Sequence, residues 1–126
     1  MTTKTVTTQD LFNTMVLGLR KQGRKSVDAV DPGTCLYRGH SGTKCAVGML
    51  ITDVHYYEDL EYKSFSSERV LEVVQKSIGR KLSTKERRLC SAMQVLHDET
   101  QVAELLPDWE MGWKNLAAEY GLTVPE

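Results

Sequence analysis

The chain has 126 residues and a mass of 14.2 kDa, enough for one domain around one core and too little for two. Apolar residues make up 40% and charged residues 26%, a globular balance, and no apolar run approaches the roughly 18 residues of a membrane span. A net charge of −1 supplies no global field to recruit nucleic acid, so neither a membrane nor a nucleic-acid partner is expected.

Residues 1–126 read as a single domain, with Met1–Thr7 polar, threonine-rich and expected to be disordered. This start lacks the basic opening and apolar middle of a secretory signal, so a cytoplasmic location is expected. The three cysteines, Cys35, Cys45 and Cys90, are an odd number, which fits packed free thiols better than a disulfide scaffold.

Thr7-Thr8-Gln9-Asp10 is a capping-box pattern that opens a first helix over about Thr8 to Gln22. Leu11, Phe12, Met15, Val16 and Leu19 form its apolar face, and Gly23 ends it. A basic loop leads to the turn signal Asp31-Pro32-Gly33. Cys35–Arg38 and Thr43–Ala46 then bracket Gly39-His40-Ser41-Gly42. That arrangement predicts a β-hairpin, because glycines at both ends permit a tight reversal. The uncharged run that follows predicts a short helix from Ala46 to Thr52.

Val54–Phe65 has no clear period and reads as a loop, made adhesive by His55, Tyr56, Tyr57, Tyr62 and Phe65. Ser66 caps a helix to about Ile78, burying Val70, Leu71, Val74 and Ile78, and Gly79 stops it. Ser83-Thr84-Lys85-Glu86 is a second capping box, followed by Leu89, Met93 and Leu96 on one side. Asp98 is expected to cap a continuation, Glu99–Leu106, that Pro107 breaks. Trp109, Trp113, Leu116, Ala117 and Tyr120 form the clearest stripe, closed by Gly121 and Leu122. The expected fold is therefore mainly α with one β-hairpin: about five helices packed around the hairpin.

Four chemistries compete for the hairpin and its surroundings. Cys35, His40, Cys45 and His55 are zinc-ligand types, but their spacing lacks the close pairs of a zinc site, so no metal is expected. Cys45 as nucleophile with His97-Asp98 as base and partner is the enzyme reading; no local pattern enforces it, and no catalytic residue is assigned. Arg80–Arg88 beside Ser83–His97 suggests a groove-entering helix, which Glu86, Asp98 and Glu99 oppose. Anion binding fits best. Arg38 and Lys44 flank one turn, and the amides of Ala46, Val47 and Gly48 would be free donors if a helix begins there. The expected ligand site is Tyr37, Arg38, Gly39, Lys44, Cys45, Ala46, Val47 and Gly48, with no cofactor.

The block C-L-Y-R-G…G-T-K-C-A-V-G-M-L-I-T-D, Cys35 to Asp53, resembles a motif of small phage and prophage proteins in which a C-x-Y-R-G hairpin leads into C-A-x-G-x-L-I-x-D. Leu96-His97-Asp98 and Trp109–Leu122 are similar to the C-terminal half of the same proteins. Thr52 departs from the proline expected at its position. The resemblance implies a non-enzymatic accessory protein, acting in the host cytoplasm, that inhibits or modulates a host defence system. Two modes are open: binding a small anionic, nucleotide-like ligand near the hairpin, with homo-oligomerisation, or direct inhibition of a host protein through Val54–Phe65 or an acidic helix face.

Overall fold

A computed structural model of the chain describes residues 5–31 and 33–126. Among them are four α-helices: α1 (Thr8–Gln22), α2 (Glu68–Ile78), α3 (Thr84–Glu99) and α4 (Leu105–Tyr120). Short 3₁₀ turns occupy the connections, and among the described residues no helix is long and apolar enough to cross a membrane.

Both capping boxes form. The Thr7 hydroxyl accepts from the Asp10 amide while the Asp10 carboxylate accepts from the Thr7 amide, and Ser83 and Glu86 repeat the exchange at α3. Ser67, not Ser66, is the N-cap residue of α2. The expectation of a disordered Met1–Thr7 falls partly on residues 1–4, outside the described residues; Val6 packs against the core and Thr7 caps α1.

The β-hairpin does not form. Among the described residues there is no strand, only isolated bridges at Val27–Cys35 and Arg38–Lys44, so the domain is all-α. The cause is a change of partner within one short segment. The Leu36 amide donates to the Ser26 carbonyl, whereas one residue later the Tyr37 carbonyl accepts from the Cys45 amide. Each ladder therefore ends after one bridge. The turn enclosed by the Arg38–Lys44 bridge reverses through positive φ at Ser41 and Gly42.

The expected helix from Ala46 to Thr52 is a 3₁₀ turn, Val47–Leu50. It contacts α1, α2 and α3 and is the centre of the molecule. Cys45, Ala46, Val47, Leu50 and Ile51 are buried there with Phe12, Met15, Val74 and Leu89 within a single core. Gly48 is fixed by packing: a Cβ would lie 2.2 Å from the Tyr37 carbonyl oxygen. The glycine thus admits another segment of its own chain, not a ligand.

Two further expectations are corrected. α3 continues through Asp98 to Glu99, so Asp98 caps nothing and no helix spans Glu99–Leu106. Pro107 does not break a helix but lies in the first turn of α4, where its missing N–H costs no helical bond. Along α4 the tryptophan stripe holds: Trp109, Trp113 and Ala117 are buried, with Leu116 and Tyr120 packed at the edge.

Candidate functional site

The predicted ligand residues do come together, but most of their polar groups are taken up within the chain. The two carboxylate oxygens of Glu61 accept from the amides of Tyr37 at 2.8 Å and Arg38 at 3.1 Å, and one of them also accepts from the Tyr56 hydroxyl at 2.7 Å. Arg38 Nη2 lies 2.7 Å from the Asp53 carboxylate and donates to the Ile51 carbonyl at 3.2 Å. Its guanidinium carbon sits 4.4 Å from the centre of the Tyr56 ring, a cation–π contact. Tyr37 is buried, and its hydroxyl donates to the Lys63 carbonyl at 2.5 Å. Burial holds the Tyr37 and Tyr56 phenols above the ordinary tyrosine range, reinforced at Tyr56 by its bond to Glu61.

Of the three amides expected to hold an anion, those of Val47 and Gly48 have partners. Val47 N–H donates to the Gln94 side chain at 3.0 Å, and Gly48 N–H to Cys45 Sγ at 3.3 Å. Ala46 is fully buried. Gly39 is pressed against its neighbours, since a Cβ there would lie 2.6 Å from Ser26 Oγ. The backbone of Lys44 is held on both sides by the Gln22 side chain. Among the described residues, two groups of this site stay unspent: the buried Arg38 Nε has no hydrogen-bond partner, and neither has the Lys44 ammonium.

The result is a clamp that fixes the segment Val54–Phe65. Leu60 and Phe65 anchor it in the core, and Tyr57 stacks under Arg69 at 5.0 Å. Val54 is 76% exposed, Tyr57 52% and Tyr62 78%, with the exposed Glu58 and Asp59 between them. Glu61 and Asp53 are not legible as site residues in the sequence. Only the placement of Glu61 beside the apolar Leu60 hints that one carboxylate of the acidic run turns inward.

A second cluster joins residues far apart in sequence. Ligand atoms of Cys35, His97 and Asp98 lie within 4.8 Å of one another. His97, in the last turn of α3, is fully buried, and its Nδ1 lies 2.7 Å from the Asp98 carboxylate despite their adjacency on the helix. The Ser26 amide donates to His97 Nε2 at 3.0 Å. An N–H donor there requires a lone pair on Nε2, which places the ring proton on Nδ1, facing Asp98.

That tautomer disfavours a metal. A cation on Nδ1 would move the proton to Nε2, against the Ser26 N–H. It also disfavours a nucleophile–base pair, because neither ring nitrogen is free to take the Cys35 proton. Burial and the Asp98 charge push the Cys35 thiol up to about 11, so it rests protonated. The Cys45 thiol is fully buried and held further above its ordinary range by that burial, which opposes the nucleophile reading considered for it. Asp98 instead organises structure: it accepts from Gln94, and its carbonyl accepts from Lys25 Nζ. Beside the cluster a cleft of about 520 Å³ opens between α3 and the segments around Cys35 and Tyr62.

The basic clusters divide in the same way. Arg20 forks onto Glu110 and Arg80 onto Glu86, each with its closest contact at 2.7 Å, while Arg87 and Arg88 stay exposed. Comparison of the chain with protein families, with curated proteins and with solved structures finds no match.

Proposed function

We propose that the chain is a non-enzymatic, phage-type accessory protein that modulates a host defence system by direct contact with a host protein through Val54–Phe65. The phage-type role rests on the resemblance of the Cys35–Asp53 block. The mode of action rests on one observation: Arg38 and Glu61 are committed to holding a segment whose Val54 and Tyr57 side chains face outward. Rigid aromatic and aliphatic side chains on a fixed loop lose little entropy on docking and supply the anchors of protein interfaces. The exposed Glu58 beside Tyr57 favours a partner surface that is basic around an apolar pocket.

Crosslinking in host extract, read by quantitative mass spectrometry, tests this. Wild type should enrich one host protein that a Val54→Lys/Tyr57→Ala variant of unchanged circular dichroism does not. Equal recovery by both proteins would refute the docking surface.

A second reading is favoured by the unpartnered Arg38 Nε and by a Lys44 ammonium without a partner among the described residues: a small anion that displaces Asp53 from Arg38. Calorimetric titration with mono-, di- and cyclic nucleotides addresses it. Binding tighter than about millimolar that Arg38→Ala weakens by about 1.5–3 kcal/mol, the worth of a charge-assisted hydrogen bond, would favour the anion.

A further inference from the structure

The outer face of α3 carries Arg88, Ala92, Val95 and Glu99, four, three and four residues apart and so in line along one side of the helix. Arg88 and Glu99 are solvent-accessible and Val95 is 52% exposed. Neither charge has an ion-pair or hydrogen-bond partner among the described residues. An apolar groove of about 450 Å³ runs beside this face, lined by Ser91, Ala92, Val95, Leu96, Gly112 and Leu116. Gly112 keeps α4 close, since a Cβ there would lie 2.6 Å from the Leu96 side chain.

We propose that this face pairs two copies of the chain, α3 against α3, antiparallel about a two-fold axis between positions 93 and 94. The spacing carries the argument. Arg88 and Glu99 stand equally far on either side of that midpoint, and so do Ala92 and Val95. A two-fold axis there sets Arg88 of one copy opposite Glu99 of the other, twice. Val95 meets the small Ala92 of the second copy, so that the helices approach closely. The face is self-complementary in charge and shape, as an isologous interface requires. A parallel pairing would instead set like charges opposite one another. Met111, 65% exposed, is one turn before the groove residue Asn115 on α4 and widens the apolar contact. One helix face is a small interface, of the kind that gives weak, transient association.

Sedimentation velocity of the full chain over a concentration series tests the pairing. Wild type should associate as concentration rises, and several-fold less at about 0.5 M salt than at about 0.05 M, because the end contacts are ion pairs. Arg88→Glu and Glu99→Arg should each weaken self-association at least tenfold. An equal mixture of the two variants should recover it, since every facing pair is then opposite in sign. A wild type that stays monomeric to about 1 mM overturns the proposal. So do variants that associate like wild type, a mixture no stronger than its components, or wild-type association indifferent to salt.

Discussion

Glu86 shows what a single side chain can hold. Its carboxylate is 5% exposed and accepts from Arg80, the Ser83 amide and the Thr8 hydroxyl. The Arg80 fork is the main cause that brings its pKa down to about 2. A carboxyl whose folded pKa is depressed stabilises the fold above its unfolded pKa, near 4.5, and loses that contribution as pH falls toward 2. Urea unfolding at pH 6 and pH 3 should differ by roughly 2 kcal/mol more in wild type than in Glu86→Gln, since a tenfold change in proton affinity corresponds to about 1.4 kcal/mol. Equal pH dependence of the two proteins would refute this. Gly48 has the opposite sensitivity. A methyl group there meets the Tyr37 carbonyl at 2.2 Å, a backbone atom that cannot rotate away. Gly48→Ala should destabilise by about 3 kcal/mol, the upper end of overpacking costs, read as a lower urea midpoint. At Cys35, a thiol pushed up to about 11 should alkylate about a hundredfold more slowly at neutral pH than an ordinary thiol near 9, with the timed mass shift as readout.

Among the elements, legibility in the sequence follows the range of the interactions that create them. The capping boxes at Thr7 and Ser83 close over four residues, and the α4 stripe repeats at helical spacing, so both can be read locally. Trp113→Ala should cost about 3–5 kcal/mol by emptying an aromatic site, and an unchanged urea midpoint would place Trp113 outside the core. The segment Cys35–Arg38 cannot be read locally, because Ser26 captures its first half and Cys45 its second. An apolar run beside a glycine turn looks the same whether it continues as a strand or curls into a 3₁₀ turn; contacts with α1, α2 and α3 decide. The candidate site is half legible for the same reason. Tyr37, Arg38 and Lys44 stand out in the sequence, but their partners Glu61, Asp53 and Gln22 come from other segments. Glu61→Ala should leave the Tyr37 and Arg38 amides without acceptors and cost at least about 2 kcal/mol. Hydrogen exchange at those two amides should rise more than at Leu89; an even rise across the chain would mean that Glu61 acts only through global stability.

For the molecule as a whole, the decisive feature is that its centre is a short 3₁₀ turn and not a helix or a sheet. Val47–Leu50 touches α1 before it in sequence and α2 and α3 after it. A helix forms from near neighbours within about a microsecond, but this centre exists only when three distant segments have arrived. During synthesis the apolar stretch Cys45–Ile51 leaves the ribosome well before Leu89 and Met93, the α3 residues that share its core. Until then it is exposed and adhesive, the kind of segment that holding chaperones bind. The same turn that joins the finished domain therefore leaves its nascent chain with an apolar segment lacking its core partners, for as long as it takes to translate from Ile51 to the end of α3.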